Sequence, residues 1–139
     1  MGLARAPTAK RKEVYMEHTL IILGKLPGIN DYTAANREHY QKGGKMKREA
    51  QETIIWQIRN QLRGLHITKP VMIKYMFYEP NKKRDLDNIA GFAHKVIQDS
   101  LVKTKVIEND GWDNVVGFLD QFALDKENPR IEVTIVEVG

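Results

Sequence analysis

The feature that most constrains this chain is a dense charge cluster between two apolar segments. Residues 81–88 read Asn-Lys-Lys-Arg-Asp-Leu-Asp-Asn, so three cations run directly into two carboxylates that are separated by one residue. The apolar segment before the cluster, Val71–Tyr78, is predicted to be a strand. The segment after it, from Ile89 onward, has the three-four spacing of an amphipathic helix. A strand therefore leads into a helix here, and the connection carries two carboxylates.

Asp85 and Asp87 have a spacing that suits one divalent cation. Side chains at i and i+2 of an extended segment point to the same side, so both carboxylates can converge if strand-like backbone continues through them. If Asp87 caps the helix, its oxygens serve backbone N–H groups, although a carboxylate has enough lone pairs for both roles. The alternative is purely structural: Asp87 caps the helix and Asp85 pairs with a cation of the Lys82–Arg84 run.

A third carboxylate from a distant stretch would complete such a site. Asp110 is the best candidate because it lies in a sharp turn just before Gly111, and Asp113 and Glu108 are its alternatives. Mg²⁺ binds oxygen ligands and keeps several waters, and Mn²⁺ is the natural substitute. A site of this kind carries out phosphodiester hydrolysis, in which the metal activates a water and neutralises phosphate charge.

A nearby cation would further stabilise the charge that develops on the reacting phosphate. Arg84 and Lys83 are candidates because they adjoin the carboxylates in sequence, and Lys95 is a candidate because it lies two turns into the following helix. Other chemistries have little support, since the chain has no glycine-rich phosphate loop and its four histidines lack metal-ligand spacing.

The distribution of positive charge favours a polyanionic partner such as nucleic acid. The chain carries a net charge of +4, with a sequence pI of about 9.3. One reading is that the basic stretches lie along a phosphate backbone, and the alternative is a solvated helix face. The candidate DNA-binding residues are Arg37, Lys42, Lys45, Lys47, Arg48, Lys82, Lys83 and Arg84.

Composition excludes several classes of protein. The chain has 139 residues and no cysteine, which rules out disulfides, thiolate metal sites and a cysteine nucleophile. No apolar run approaches the roughly 20 residues that span a bilayer, and the basic N-terminus lacks the apolar segment of a signal peptide. We expect a soluble, cytoplasmic protein. Residues 1–14 are expected to form a flexible basic arm, either without a role or in contact with phosphates.

The pattern of the remaining chain predicts one α+β domain, residues 15–139, with a mixed sheet of about four strands packed against two to three helices. Asp31 or Thr33 is expected to cap the first helix, and Gly43-Gly44 to break it from the second. Trp56 and Trp112 are expected to be packing residues. The predicted order is strand 17–23, helix 34–42, helix 45–65, strand 71–78, helix 88–103, and a closing hairpin of strands 115–124 and 130–138.

Three segments of the sequence together resemble the RusA family of Holliday junction resolvases, in the form found in phages and prophages of Gram-positive bacteria. They are Arg84-Asp85-Leu86-Asp87-Asn88, the helix segment 95–101 (Lys-Val-Ile-Gln-Asp-Ser-Leu), and 106–112 (Val-Ile-Glu-Asn-Asp-Gly-Trp). The resemblance extends from about Glu17 to the C-terminus. It implies a homodimeric, Mg²⁺-dependent endonuclease with a RusA-like fold that cuts four-way DNA by paired nicks in recombination and repair. The family's metal-binding carboxylates match Asp85, Asp87 and Asp110.

Two positions depart from the family pattern. The family's catalytic lysine falls at Gly91 here, so its role is vacant or passes to Lys95 or to the Lys82–Arg84 run, and a paired Asp-Asp is Asn109-Asp110. The sequence still predicts a metal-dependent endonuclease for branched DNA, with two subunits and with basic helix faces holding the duplex arms. The alternatives are a non-catalytic branched-DNA-binding module of the same fold and a nuclease for simpler substrates such as flaps or single strands.

Overall fold

A computed structural model describes residues 15–139 of the chain, and the predicted basic arm, residues 1–14, lies outside the described residues. The predicted α+β class is confirmed, and so is the predicted order of strands and helices. The elements are β1 (Glu17–Leu23), α1 (Ile29–Glu38), α2 (Tyr40–Gln61), β2 (Val71–Glu79), α3 (Leu86–Lys103), β3 (Val115–Leu124) and β4 (Arg130–Glu137).

The four strands form one mixed sheet in the order β1-β4-β2-β3. β4 pairs antiparallel with both β1 and β2, whereas β3 pairs parallel with β2. The predicted hairpin of the last two strands is therefore wrong, because the chain crosses over the end of β2 between them. Two strand spacings amount to about 10 Å, a distance that residues 125–129 easily span. The crossing is fixed where the Asp125 N–H donates to the Glu79 carbonyl at 2.9 Å.

The helices pack on one face of the sheet and enclose the core there. β2 alternates strictly between buried and half-buried residues, which is the period-two pattern of a strand that is covered on one face. α3 lies against this strand through an apolar stripe that includes Phe92, Val96 and Leu101, all fully buried. None of the described helices has the length and apolar character required to cross a membrane.

The helix boundaries differ from the predicted ones for local reasons. α1 begins at Ile29 rather than near residue 34, and Gly28 precedes it as the N-cap. Asp31 is not the N-cap residue of α1. It is the third residue of the helix, and its carboxylate accepts the Gly28 N–H at 2.9 Å. Thr33 lies inside the helix.

The break between the first two helices falls at His39 and not at the glycine pair. His39 has extended backbone, and its Nδ1 accepts the Gln41 N–H at 3.1 Å, which caps α2. Both glycines lie within α2. A Cβ at Gly43 would collide with the Asn36 side chain, so glycine is used here for the close approach of α1 and α2.

The two edge strands of the sheet differ in whether side chains cover their outward backbone N–H and C=O groups. At the β1 edge, the side-chain amide of Gln61 accepts the Ile21 N–H at 2.7 Å and donates to the Ile21 carbonyl at 2.8 Å. Gln57 accepts the Leu23 N–H at 3.3 Å. At the β3 edge, no described residue bonds the outward backbone groups beyond the first residue of the strand. The β1 edge is therefore covered, and the β3 edge is open.

Both tryptophans lie on the surface, so the expectation that they are packing residues is wrong. Trp56 is 70% exposed on α2, and Trp112 is 96% exposed just before β3. Their side chains are available for contacts outside the chain.

Candidate functional site

Asp85 and Asp87 lie at the N-terminus of α3, and both are exposed. Asp85 is the N-cap residue and has extended backbone, yet its side chain forms no capping hydrogen bond. One oxygen of Asp87 accepts the Asn88 N–H at 2.9 Å. Neither carboxylate forms an ion pair with any residue in 15–139, so the alternative in which Asp85 pairs with a neighbouring cation is not observed. Both side chains keep oxygen atoms for a ligand.

The N-termini of two helices meet at these carboxylates. The Asn88 side-chain oxygen accepts the Asn30 N–H at 2.9 Å, so the third residue of α3 supplies the cap that Gly28 cannot supply to α1. A Cβ at Gly28 would collide with the Asn88 amide, which explains glycine at that position. Because helix N-termini carry partial positive charge, this corner of the molecule favours anionic groups.

Arg84 forms hydrogen bonds within the chain and is only partly exposed. Its Nε and Nη2 donate to the two Glu79 carboxylate oxygens at 3.0 and 2.9 Å, and its Nη1 donates to the Leu26 carbonyl at 2.9 Å. Glu79 is only 6% exposed, so this is a largely buried bidentate pair that fixes the loop after β1. All three of its nitrogens are engaged within the chain, and its role as a catalytic or DNA-binding cation stays a prediction. Lys82 and Lys83 are exposed beside the carboxylates.

Asp110 lies toward the opposite end of α3. It borders a cavity with Lys47, Asp99 and Lys103, all beyond the middle of that helix or on the facing part of α2. The helical rise from Asp87 to Asp99 alone is about 18 Å. Among residues 15–139, no group of three acidic or histidine side chains is placed to share a metal ion. The structure therefore does not bring Asp110 to Asp85 and Asp87 within one chain.

The turn that holds Asp110 is organised by its neighbour. The Asn109 side-chain oxygen accepts the N–H groups of Asp110 at 2.7 Å and of Gly111 at 3.2 Å. The Asp110 carboxylate has no partner among the described residues and lies at the turn surface. Asp113 and Glu108, the alternatives to Asp110, belong to the same region, and Glu108 lies 3.3 Å from the His66 Nε2.

Gly91 has a packing role, and Lys95 lies one turn beyond it. A Cβ at Gly91 would come within 3.1 Å of the Ile29 Cβ, so α1 occupies the space that a larger residue needs. Lys95 is exposed and forms no ion pair with a described residue. It follows Gly91 by four positions and Asp87 by eight, which places all three on one face of α3. Helical side chains lean toward the N-terminus, so Lys95 leans toward Gly91.

The basic residues of α1 and α2 differ in how firmly they are held. Lys42 pairs with Glu38 at 2.6 Å, Lys45 approaches Glu49 at 3.8 Å, and Lys47 pairs with Asp99 at 2.9 Å. The remaining two predicted DNA-binding residues of this surface, Arg37 and Arg48, are exposed and have no ion-pair partner among the described residues. These two arginines are the cations of the surface that are most available to phosphates.

An apolar pocket beside Asp85 was not predicted from the sequence. It has a volume of about 320 Å³, lies between the start of α3 and the end of β3, and has Leu86 on its rim, 56% exposed. The sequence feature that could have indicated this pocket is Leu86, because it is an apolar residue between two aspartates. The apolar side chains that line the pocket are Leu86, Ile89, Phe122, Ala123 and Leu124.

The clearest pKa shifts lie away from Asp85 and Asp87. Burial raises the pKa of the Tyr75 hydroxyl well above its usual value, so this group stays protonated and neutral. A hydrogen bond from Arg130 lowers the pKa of Asp125, in the loop that crosses the end of β2. Neither shift supplies an acid or base to the α3 N-terminus.

Comparison with known families defines the class of the protein. Residues 6–136 match the family model described as endodeoxyribonuclease RusA, which makes the chain a DNA endonuclease by family. The match covers nearly the whole chain, and the protein belongs to the RusA family, as the sequence resemblance predicted. No curated protein matches the chain significantly. The assignment to phages or prophages of Gram-positive hosts stays a prediction.

Proposed function

We propose that the protein is a homodimeric, Mg²⁺-dependent endonuclease that resolves four-way DNA junctions by paired nicks during recombination and repair. The observation that carries the proposal is the pair of unpartnered carboxylates, Asp85 and Asp87, at the point where two helix N-termini meet. Family membership supports the class of reaction. The exposed cations Arg37 and Arg48 of α1 and α2, together with Lys82 and Lys83, support a DNA partner.

The donor set suits Mg²⁺, or Mn²⁺ in its place. Mg²⁺ is typically held by one or two carboxylates, with waters and substrate phosphate oxygens filling its octahedral shell. Asp85 and Asp87 would hold the ion, which when bound would supply charge neutralisation and water activation. The helix N-termini would attract the scissile phosphate to the same corner. Lys95 would contribute positive charge along the same helix face.

Asp110 would reach this site only from a second subunit. The length of α3 separates it from Asp85 and Asp87 in its own chain by about 18 Å or more. In a two-fold dimer, each chain can supply Asp85 and Asp87 to one site and Asp110 to the other. Two equivalent sites of this kind would cut two strands of one junction, which is the chemistry of paired nicking.

The test compares variants on a synthetic four-way junction with Mg²⁺ and measures binding and cleavage separately. We expect Asp85→Asn and Asp110→Asn each to lower cleavage by about 100-fold or more while junction binding is retained, because each would replace an anionic carboxylate ligand of the metal with a neutral amide. Asp113→Asn, in the same region as Asp110, is the control and should cleave like the parent. Intact cleavage by Asp85→Asn or Asp110→Asn would show that the assignment is wrong.

A mixing experiment tests whether Asp110 comes from the second subunit. The Asp85→Asn/Asp87→Asn double variant and the Asp110→Asn variant should both be inactive alone. Mixed and allowed to exchange subunits, they should nick one strand per junction, because each heterodimer contains one site with all three carboxylates. If every site were built from one chain, no heterodimer would contain an intact site, and the mixture would remain inactive.

One observation favours a second candidate, a non-catalytic module that binds branched DNA. Gly91 stands where the resemblance implies a catalytic lysine, and a Cβ at this position would lie only 3.1 Å from the Ile29 Cβ. A parent protein that binds junctions but shows no cleavage at any concentration of Mg²⁺ or Mn²⁺ would support this candidate over the endonuclease.

A further inference from the structure

A second cavity, here called the α2–α3 cavity, lies between the C-terminal ends of α2 and α3. Its volume is about 350 Å³, and its apolar lining consists of Ile58, Leu62, Leu65 and Val106. Ile58 and Val106 are each only 1% exposed, so the cavity reaches down to the core. Pockets that bind ligands begin at about 300 Å³, so this one has room for one or two side chains of a partner.

Three cations surround the mouth of the α2–α3 cavity and form what is here called the cationic rim. They are Arg59, Arg63 and Lys105, and all three are exposed. None of their side chains forms an ion pair or a hydrogen bond with any residue in 15–139. The nearby carboxylate of Glu108 lies 3.3 Å from the His66 Nε2. The rim therefore presents positive charge that is available to an anionic partner.

Lys105 occupies a position where glycine is usually found. Thr104 is the C-cap of α3, and Lys105 follows it with a φ of 65°, in the left-handed region. Among residues 15–139 it is the one non-glycine residue with a positive φ. A Cβ is unfavourable in this conformation, which is why helices commonly end with glycine there. The His66 Nδ1 donates to the Lys105 carbonyl at 2.6 Å and holds the strained turn in place. Strain of this kind indicates a use for the lysine side chain.

The chemistry of the cavity favours a peptide over a nucleic acid. None of the residues that line it is a phenylalanine, tyrosine or tryptophan, the side chains on which unpaired bases stack. A phosphate backbone would satisfy the cationic rim but leave the aliphatic lining uncovered. A peptide that carries carboxylates beside a large apolar side chain would satisfy both.

A purely structural explanation accounts for only part of this arrangement. Cations at the C-terminal ends of helices offset the negative end of the helix dipole, and Arg59 lies in the last turn of α2. That role requires neither an open apolar cavity between the two helix ends nor a lysine in left-handed backbone. Both features are explained by a ligand that is anionic and apolar at once.

We propose that the α2–α3 cavity docks an acidic segment of another protein. A large apolar side chain of that segment enters the cavity, and its carboxylates pair with the cationic rim. The 18-residue length of α3 separates the rim from Asp85 and Asp87 by roughly 25 Å, so a docked segment leaves the proposed metal site open. No residue of the rim belongs to the proposed metal site or to the predicted DNA-binding residues, and the inference does not depend on the endonuclease.

The test uses fluorescence anisotropy of the full chain with a labelled hexapeptide of four aspartates, a leucine and a C-terminal phenylalanine. Saturable binding is expected. Arg63→Ala and Lys105→Gly should each raise the peptide Kd about tenfold, because each removes one charge-assisted contact. Arg37→Ala, an exposed arginine of α1, is the matched control and should leave the peptide Kd unchanged. A peptide with serines in place of leucine and phenylalanine should bind about tenfold more weakly or worse.

Thermal unfolding and junction binding separate the docking site from a structural or DNA-binding role. Lys105→Gly should unfold at or above the melting temperature of the parent, because glycine relieves the left-handed strain. Absence of saturable binding by the acidic peptide, or equal binding of the serine peptide, would overturn the docking site. An Arg63→Ala protein that binds the peptide normally but loses as much junction affinity as Arg37→Ala would also overturn it and assign the rim to DNA. A parent that binds the peptide through Arg63 and never cleaves junctions would support the docking site and refute the endonuclease.

Discussion

Lys95 is an exposed lysine within α3 that we propose supplies positive charge to Asp85 and Asp87, whereas Lys82 and Lys83 precede the helix. It lies on the same face of α3 as Asp87, about 12 Å along the helix axis, and leans toward the carboxylates. Its ammonium has no ion-pair partner among residues 15–139. Arg84, the other cation that was predicted to be catalytic, donates two hydrogen bonds to Glu79, whereas Lys95 forms no ion pair with a described residue.

We predict that Lys95→Ala lowers the single-turnover rate of junction cleavage by about 100-fold to 1000-fold, the usual cost of losing one group that stabilises transition-state charge. Junction binding should change little, because one contact among many is lost. Lys95→Arg should recover part of the rate. The control is Lys69→Ala, an exposed lysine before β2. Equal rates for Lys95→Ala and Lys69→Ala would exclude a catalytic role for Lys95.

At the scale of the elements, the contact between α1 and α3 determines what position 91 can hold. α1 is fixed to α3 at its first turn by Asn88, and Ile29 then lies directly over Gly91. The Ile29 Cβ is set by the backbone of α1 and cannot rotate away. A side chain at position 91 therefore requires α1 to give by a few tenths of an ångström.

We predict opposite effects for two glycine-to-alanine changes within helices. Gly91→Ala should lower the free energy of unfolding by about 1 kcal/mol, because overpacking against Ile29 outweighs the gain in helix propensity. Gly44→Ala in α2 should raise it by about 0.5–1 kcal/mol, since its Cβ would meet only the tip of the Arg48 side chain at 3.4 Å. Chemical denaturation measures both. A stabilising Gly91→Ala would contradict the packing account.

Much of the element pattern was predictable from sequence, because strands and helices follow from local periodicity. The strand predicted at 71–78 and the helix predicted at 88–103 are observed at 71–79 and 86–103. The glycine pair at 43–44 was misread, since tertiary packing of α1 on α2 overrides the low helix propensity of glycine. The closing hairpin was misread because a short loop between strands does not determine whether those strands pair.

The candidate site was predictable only in part for the same reason. Asp85 and Asp87 are local neighbours, so their placement at the start of α3 is a property of a few residues. The position of Asp110 depends on the length and direction of α3, and any contribution from a second chain is invisible to local patterns. The capping of α1 by Asn88 joins residues 58 positions apart, and periodicity carries no signal for such a bond.

At the scale of the whole molecule, the basic surface of α1 and α2 should govern the salt dependence of DNA binding. Each phosphate contact releases counterions. The slope of the logarithm of the binding constant against the logarithm of the salt concentration is therefore proportional to the number of phosphate contacts. Arg37 and Arg48 are free of ion pairs with described residues, whereas Lys42 already has Glu38 at 2.6 Å. The two arginines should therefore contribute most.

We predict that Arg37→Ala and Arg48→Ala each reduce the magnitude of that slope by about one, with a smaller reduction for Lys42→Ala. Fluorescence anisotropy of a labelled junction across a salt series measures it. The matched control is Arg59→Ala, an exposed arginine near the other end of α2, which should leave the slope unchanged. A uniform loss of slope for all four variants would argue against a localised DNA surface.

Gln57 and Gln61 cover part of the β1 edge, and this cover bears on how many copies of the chain could join through their sheets. Gln61 occupies both backbone groups of Ile21, so among the described residues β1 is the better protected of the two edge strands. If two copies of the proposed homodimer paired at β3, the combined sheet would end in the covered β1 strand on each side. Growth of the sheet would then terminate at two copies. If Gln57 and Gln61 did not cover β1, this strand could also pair with another copy. Chains could then add end to end and form a filament, as unprotected strand edges do.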